Sequence, residues 1–360
     1  MSRALGTFPW DSLADATALA RSHPDGLVDL SIGTPVDPVP QLIQDALAAA
    51  AGPPGYPTTH GTPELRAAAV GALARRHDVT GLPTDAVLPT IGSKELVAWL
   101  PTLLGLGAGD LVVIPPLAYP TYEIGVQLAG AELLRADGTL AVGPRRPGLL
   151  WLNSPSNPTG RVLPVEHLRK VVDWARERGT VVVSDECYLT LGWEAEPVSV
   201  LHPAVRGDSF EGVLAVHSLS KSSSLAGYRA GFVAGDPALV AKLLAIRKHA
   251  GMIMPRPVQA AMTAALSDDE HVAAQRARFA ARREVLRTAL VDAGFRIDHS
   301  EAGLYLWATR DEPAWDTVAW LAERGVLVAP GTFYGPTGER HVRLALTATD
   351  ERVAAAASRL

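Results

Sequence analysis

Lys221 is the residue of this chain best placed for covalent chemistry. It follows an apolar run, residues 213–216, that predicts a buried strand, so we expect Lys221 on a loop at the strand's end, facing a cleft. A lysine amine attacks an aldehyde only when deprotonated, and desolvation or a nearby cation such as Arg229 favours that state. Ser218, Ser220 and Arg229 supply hydroxyls and a guanidinium that suit a phosphate. The alternative is a solvated loop lysine.

The residues around Lys221 also carry a family resemblance. The pattern Ser-x-Ser-Lys followed by Ala-Gly-Tyr-Arg-Ala-Gly resembles the cofactor-binding lysine segment of the class I/II aminotransferases, pyridoxal-phosphate enzymes of fold type I. The resemblance implies that Lys221 binds pyridoxal 5'-phosphate covalently and acts as the catalytic amine. It also implies that Ser218 and Arg229 hold the cofactor phosphate, with Ser220 beside them.

Two further segments match the family and supply the groups around the cofactor ring. Residues 181–188 predict an apolar strand that ends in acid and phenol groups. The resemblance implies that Asp185 contacts the pyridine nitrogen of the cofactor and that Tyr188 hydrogen-bonds its phenolate oxygen. A carboxylate beside that nitrogen keeps it protonated, so the ring can act as an electron sink. Asn157, in an Asn-Pro-x-Gly turn, is expected to donate to the same oxygen. The alternatives are that Asp185 and Glu186 cap a helix and that Asn157 only forms an Asx-turn.

Residues 88–100 and 112–122 are expected to complete the phosphate and ring pocket. The chain passes through a Gly-Ser pair into a predicted helix, whose free backbone N–H groups would meet an anion beside Ser93 and Lys94. An ordinary helix N-cap is the alternative. Tyr119 follows a predicted buried strand and matches the family aromatic residue that stacks on the pyridine ring; a core aromatic residue is the alternative.

Three more positions match family residues that reach the substrate or the second subunit. Tyr56 resembles the tyrosine that contacts the phosphate of the neighbouring subunit, which implies a homodimer with shared active sites. Arg343 matches the bidentate clamp for the substrate α-carboxylate, with a surface strand arginine as the alternative. Gly33 matches the glycine whose backbone lies close to the substrate.

Composition limits the class of protein. The 360 residues carry a net charge of −5, which argues against a nucleic-acid-binding surface. The arginines of residues 276–287 are spaced like the solvated face of a helix. The single cysteine, Cys187, excludes an intrachain disulfide and a cysteine-based metal site, and no metal is expected. Without an apolar signal core or a membrane-spanning run, we expect a cytoplasmic enzyme.

The elements that must position these groups form an α/β pattern. Helical segments alternate with apolar runs at 86–91, 111–114, 149–152, 181–184, 213–217 and 230–234, which predicts a mainly parallel sheet covered by helices. The candidate groups then fall at strand ends, where open α/β sheets bind ligands. We expect an N-terminal segment, 1–34, joined to a small α+β C-terminal domain, 252–360, with a cofactor-binding large domain, 35–251, between them.

The resemblance implies transamination with L-glutamate as amino donor. The chain looks most like the N-succinyldiaminopimelate aminotransferases of lysine biosynthesis, which implies N-succinyl-2-amino-6-oxopimelate as acceptor. Arg247, Lys248 and Arg256 are candidates for binding its extra carboxylates. An aspartate, alanine or aromatic aminotransferase and a carbon–sulfur lyase are alternatives, because they use the same lysine, aspartate and arginine. A non-catalytic binding module on the same fold is a further alternative.

Overall fold

The fold is built on a seven-stranded sheet, seen in a computed structural model that describes residues 8–360. Its strand order is β2-β8-β7-β6-β5-β3-β4, and the five strands β3 to β7 run parallel, whereas β8 runs antiparallel to both neighbours. The strands of the described chain are Val28–Asp29 (β1), Val87–Ile91 (β2), Leu111–Ile114 (β3), Glu132–Arg135 (β4), Leu149–Asn153 (β5), Val181–Asp185 (β6), Val213–Ser218 (β7), Ala230–Gly235 (β8), Arg296–Ile297 (β9), Tyr305–Thr309 (β10), Val326–Leu327 (β11), Ala329–Pro330 (β12) and Val342–Ala345 (β13).

Helices cover both faces of this sheet, because its central strands are apolar on both sides. On one face Val113 and Leu150 pack with α3, α7 and α11, and on the other Val112 and Trp151 pack with α4, α5 and α10. The α-helices of residues 8–360 are Ala14–Arg21 (α1), Gln41–Ala49 (α2), Pro63–His77 (α3), Gly92–Leu103 (α4), Thr121–Ala129 (α5), Thr139–Val142 (α6), Val165–Arg176 (α7), Pro203–Arg206 (α8), Leu219–Ser222 (α9), Pro237–Ala250 (α10), Arg256–Ser267 (α11), Glu270–Asp292 (α12), Ala314–Glu323 (α13) and Asp350–Ala357 (α14).

A second, smaller sheet lies in the C-terminal part of the chain. Its order is β12-β13-β10-β9, all antiparallel, and it shares an apolar core with α12, α13 and α14. The N-terminal strand β1 pairs in parallel with β11 of this region, through Val28 and Val326. The boundary expected after residue 251 falls between α10 and α11, and the division into domains stays a prediction.

The predicted mainly parallel sheet, with a smaller α+β region, is confirmed, and two local expectations are corrected. Strand β4 was not predicted, because its exposed residues Glu132 and Leu133 do not resemble a buried strand. The arginines of α12 are not all solvated: Arg282 and Arg283 are buried, since each meets an acidic partner, Asp37 and Glu194. Among residues 8–360, no helix has the length and apolar character needed to cross a membrane.

Candidate active site

A cavity of about 270 Å³ lies at the carboxyl ends of the parallel strands of the large sheet. It collects almost every residue singled out from the sequence, although these lie on segments scattered from residue 33 to residue 343. The predicted residues that line it are Gly33, Ser93, Lys94, Tyr119, Asn157, Asp185, Tyr188, Ser218, Ser220, Lys221, Arg229 and Arg343. Tyr56 is the exception: it is 94% exposed and does not line the cavity of its own protomer.

Lys221 lies in the middle of the cavity wall, on the turn that follows β7. It belongs to the single helical turn α9, not to a loop as expected, because the chain turns directly from Ser218 into hydrogen-bonded helix. Its Nζ donates to the carbonyl oxygen of Gly33. Burial lowers the pKa of Lys221, and the positive charges of Arg343 and Arg229 act in the same direction. This lowering, opposed in part by Tyr305 and Cys187, makes the neutral amine that a nucleophile or a general base needs easier to form.

Asp185 ends the neighbouring strand β6 and carries the buried carboxylate of the cavity. Its Oδ2 accepts a hydrogen bond of 2.8 Å from the hydroxyl of Tyr122, and its Oδ1 accepts one of 3.2 Å from the backbone N–H of Cys187. Burial raises the pKa of Asp185, while these hydrogen bonds oppose the rise. The alternative that Asp185 caps a helix is wrong, because the next helix, α8, begins only at Pro203.

Glu186, which follows Asp185, does not line the cavity, and its carboxylate instead anchors the loop at residues 199–200. Its carboxylate accepts hydrogen bonds of 2.7 Å from the Ser199 hydroxyl and of 2.7 Å from the Val200 backbone N–H. Burial raises the pKa of Glu186 to about 7. Two adjacent carboxylates are thus given different partners by the alternation of side chains along the chain.

The phosphate-binding groups predicted from the sequence meet at one end of the cavity. Helix α4 begins at Gly92, so the backbone N–H groups of Ser93 and Lys94 stand at a helix N-terminus. Arg229 lies against Gly92, and a Cβ atom on that glycine would come within 2.8 Å of the Arg229 Cζ. Among residues 8–360 no carboxylate forms an ion pair with Arg229, whose Nη1 donates to the Ala226 carbonyl oxygen at 3.0 Å. This end of the cavity suits an anion.

Arg343 contributes a second arginine to the cavity wall, from β13. It is 2% exposed, which excludes the alternative of a surface strand arginine. Its guanidinium donates to Asn157 Oδ1 at 2.9 Å and to the Ser31 carbonyl oxygen at 2.6 Å, and it lies 3.9 Å from the ring centroid of Tyr305. Its Nε has no hydrogen-bond partner, and no carboxylate of the described residues neutralises it. A buried cation in this state is suited to an incoming carboxylate.

Tyr122 and Tyr305 belong to the site but were not predicted from the sequence. Tyr122 lies three residues after Tyr119, across the turn that begins α5, and the two rings meet edge to face with centroids 6.2 Å apart. That spacing is the signal that could have found Tyr122. Tyr305 faces Tyr188 with their hydroxyl oxygens 3.0 Å apart. Nothing local marks Tyr305, because the contact joins the C-terminal sheet to the segment after β6.

Two aromatic residues near the N-terminus were also missed. Phe8 and Trp10 line the mouth of the cavity with their rings stacked, 5.4 Å between centroids. Lys94 lies at the same mouth, its Nζ 5.5 Å from the Phe8 ring centroid and 5.9 Å from that of Tyr119. Within the described part of the chain, Lys94 forms no ion pair with a carboxylate.

The residues suggested for distal carboxylates do not reach this cavity within one protomer. Arg247 is buried in an ion pair with Glu95, at 2.8 Å between Nη1 and Oε1. Lys248 and Arg256 do not line the cavity. Cys187, the single cysteine, lines the cavity.

The donor set of the cavity fits pyridoxal phosphate. An anion-binding end at Arg229, an amine at Lys221 and a buried carboxylate at Asp185 correspond to the phosphate, the aldehyde and the ring nitrogen of that molecule. The unpartnered Nε of Arg343 leaves a further anion site for the substrate. The roles of the individual residues remain proposals that follow from this placement.

Known proteins resemble the chain over its full length. Residues 25–360 match the family model "Aminotransferase class I and II". A probable aminotransferase of Mycobacterium tuberculosis is 69% identical over 360 residues, covering 100% of this chain and 86% of that protein. The 4-dedimethylamino-4-oxo-anhydrotetracycline transaminase of Streptomyces rimosus is 59% identical, covering 99% of each chain. A solved structure, a probable N-succinyldiaminopimelate aminotransferase of Thermus thermophilus, superposes with a TM-score of 0.88 at 30% identity, covering 98% of this chain and 99% of that one.

The family match and the high identities agree with the cavity, in which a lysine, a carboxylate and two arginines converge. The chain therefore belongs to the class I and II aminotransferases, enzymes that depend on pyridoxal phosphate.

Proposed function

We propose that this aminotransferase moves the amino group of L-glutamate to N-succinyl-2-amino-6-oxopimelate, giving N-succinyl-LL-2,6-diaminopimelate. The observation that carries the proposal is the presence of two cations in the cavity beyond Lys221 and Arg229. Arg343 is buried without a carboxylate partner, and Lys94 stands unpaired at the mouth. A keto acid with an α-carboxylate and a distal carboxylate would engage both cations.

The chemistry assigned to the chain follows from the positions of its side chains. When bound, the cofactor supplies an electron-poor ring that stabilises negative charge at the substrate Cα. Asp185 holds a proton at the ring nitrogen, and Tyr122 keeps that carboxylate oriented. Lys221 accepts the proton from Cα and returns it, as its desolvated amine allows. Arg343 holds the α-carboxylate, so that the Cα–H bond faces Lys221.

Asn157 and Tyr188 are assigned to the remaining edge of the ring. Asn157 already contacts Arg343 at 2.9 Å through its Oδ1, which leaves its amide NH₂ to donate to the cofactor oxygen. Tyr188 shares its hydroxyl with Tyr305 at 3.0 Å, and burial raises the pKa of Tyr188 well above its ordinary value. Tyr188 therefore stays protonated and able to donate.

We also propose that the enzyme works as a homodimer in the cytoplasm. Tyr56 supports the dimer: a tyrosine that is 94% exposed on one protomer is available to the phosphate end of its partner's cavity. Mixing inactive Lys221→Ala with Tyr56→Phe subunits tests this sharing. Activity should return in mixed dimers, because one site then has both residues. Failure to recover activity in confirmed mixed dimers would exclude a shared site.

A planar polycyclic ketone is the second candidate acceptor. The stacked rings of Phe8 and Trp10, with Tyr119 nearby, offer aromatic faces at the cavity mouth. The relative at 59% identity is itself named a 4-dedimethylamino-4-oxo-anhydrotetracycline transaminase. Such an acceptor would rely on ring contacts and would depend little on Lys94.

The deciding experiment measures 2-oxoglutarate released from L-glutamate with each acceptor in turn. The succinylated keto acid should support turnover well above oxaloacetate, pyruvate or a polycyclic ketone. Lys94→Met should raise the KM for the succinylated keto acid about tenfold, the effect of losing one charged contact. The control Lys242→Met, at an exposed position of α10, should leave that KM unchanged. Turnover with the polycyclic ketone alone would transfer the assignment to the second candidate.

A further inference from the structure

Three polar side chains form a hydrogen-bonded chain directly behind the Lys221 turn. His271 Nδ1 lies 2.6 Å from Asp268 Oδ2, and His271 Nε2 lies 2.8 Å from Ser223 Oγ. Asp268 also accepts the backbone N–H of His271 at 3.0 Å, which fixes the carboxylate at the start of α12. We call Ser223, His271 and Asp268 the serine–histidine relay.

The polarity of the relay follows from its acidic end. Hydrogen bonds from the backbone and the side chain of His271 lower the pKa of Asp268, so this carboxylate is ionised and accepts. The Nδ1–H of His271 then points to Asp268, and its Nε2 forms the hydrogen bond with the Ser223 hydroxyl. The Ser222 hydroxyl oxygen lies 3.3 Å from that of Ser223, so Ser222 is the next polar side chain along the turn that bears Lys221.

Ser223 is also the residue that closes the helical turn bearing Lys221. Its backbone N–H donates to the Leu219 carbonyl oxygen at 3.1 Å, one turn back. A helix of one turn is marginal by itself, because nucleation fixes several residues for one hydrogen bond. External contacts must therefore hold α9 in place, and the relay ties its C-cap residue, Ser223, to the corner between α11 and α12.

The Ser–His–Asp order also occurs in hydrolases, but the burial of Ser223 argues against that use here. Ser223 is 2% exposed and lines neither the active-site cavity nor the cavity beside His217. A hydroxyl without access to substrate cannot act as a nucleophile. The relay therefore stabilises the turn around Lys221 and does not act on a substrate.

We propose that the serine–histidine relay positions Lys221, with His271 as a positioning residue that fixes the α9 turn through Ser223. The proposal rests on the role given above to Lys221 as the amine that moves the substrate proton. The relay joins α9, on the large sheet, to the first turn of α12, which packs in the C-terminal core. The orientation of Lys221 thus depends on a contact made 48 residues further along the chain.

The experiment compares Ser223→Ala, His271→Leu and His271→Gln in the cofactor-loaded enzyme. His271→Leu removes both side-chain hydrogen bonds, while His271→Gln keeps an amide able to reach Ser223. His202→Leu is the matched control, because it removes another histidine hydrogen bond, from the Ala204 N–H at 3.0 Å, outside the cavity. The readouts are amide hydrogen exchange of residues 219–225, cofactor affinity, and kcat and KM for L-glutamate.

Ser223→Ala and His271→Leu should each speed exchange of residues 219–225 about tenfold, the effect of losing one well-placed hydrogen bond. They should lower kcat by a similar factor and leave KM within about twofold, because the α-carboxylate clamp at Arg343 is untouched. His271→Gln should recover part of both losses. The double variant Ser223→Ala/His271→Leu should be no worse than the poorer single variant, since both remove the same contact.

The proposal is overturned if His271→Leu folds and binds cofactor, but the amide hydrogens of residues 219–225 exchange at the rate of the control and kcat equals that of the control. It is overturned equally if the variants lose thermal stability while kcat and local exchange stay unchanged, because the relay would then be only structural. Failure of the proposed function has a different signature: the unaltered enzyme would not transaminate, while the exchange result would still report on the Lys221 turn.

Discussion

Replacing Gly92 with alanine tests the assignment of Arg229 to the cofactor phosphate. Gly92 has a φ of +72°, a conformation that costs an alanine roughly 1–2 kcal/mol. Its added Cβ would come within 2.8 Å of the Arg229 Cζ and closer still to Nη2, so the guanidinium must move. Loss of a charge-assisted contact to phosphate is worth about 1.5–3 kcal/mol. Gly92→Ala should therefore weaken cofactor affinity about tenfold to a hundredfold.

The matched control is Gly105→Ala, just beyond the other end of α4. Gly105 has a φ of +82°, and its added Cβ would meet nothing within 4 Å. Both variants should lose about 1–2 kcal/mol of unfolding free energy, because the backbone penalty is the same. Only Gly92→Ala should bind cofactor more weakly, since the penalty at Gly105 is present with and without cofactor.

The assay titrates apoenzyme with pyridoxal phosphate and follows its absorbance, with urea unfolding measured in parallel. Arg229→Gln should weaken affinity at least as much as Gly92→Ala, and the double variant should not exceed Arg229→Gln. Equal affinities for Gly92→Ala and Gly105→Ala would refute the reasoning. So would a strong effect of Gly92→Ala that persists unchanged on the Arg229→Gln background.

Three further changes have definite expected outcomes. Lys221→Ala should abolish 2-oxoglutarate formation from L-glutamate while the protein stays folded, and unchanged activity would contradict the role of this lysine. Tyr122→Phe removes a hydrogen bond that opposes the burial-driven rise in the pKa of Asp185, so the pKa of Asp185 should rise further. The acid limb of the kcat/KM–pH profile should then move to higher pH, with at least a tenfold loss of kcat. An acid limb that does not move would contradict the role given to Tyr122. Asp37→Ala leaves buried Arg282 with the exposed Asp350 as its one ion-pair partner among residues 8–360, and urea unfolding should show a loss of about 3 kcal/mol. Burial raises the pKa of Asp37, but the hydrogen bonds from Arg282 and Gln275 outweigh it and lower the pKa overall. The stability that ionised Asp37 contributes is therefore present above the ordinary aspartate pKa of about 3.9 and is lost as the pH falls through the lower pKa of the folded protein. The difference in unfolding free energy between Asp37→Ala and the unaltered protein should therefore shrink in acid.

The site residues found from the sequence share one property: each lies in a short segment that carries its own signal. Lys221 and Arg229 occur in one motif, and Asp185 ends an apolar, β-branched run that predicts a strand. The sequence also indicated the sheet, because β-branched runs between helical segments leave few other arrangements. Strand β4 was not predicted, because its side chains are partly exposed and lack that apolar, β-branched pattern.

The residues that sequence reasoning missed are defined by their partners. Tyr305 meets Tyr188 across 117 positions, and the Phe8–Trp10 pair reaches the cavity only when the N-terminal segment has folded against it. Arg247 illustrates the converse error: it was a candidate for substrate carboxylates, and the fold has already paired it with Glu95. Charge alone gives no information about which partner a side chain finds.

The motifs in the sequence indicated the family and its cofactor by resemblance, and apolar periodicity indicated the strands and helices that carry them, because both signals lie in neighbouring residues. Only the tertiary structure decided the state of those groups. Burial lowers the pKa of Lys221, Tyr122 opposes the rise in that of Asp185, and His271 reaches Ser223 from a distant helix. Desolvation and hydrogen bonding depend on everything that surrounds a group in space, and residues far apart in the chain supply those surroundings.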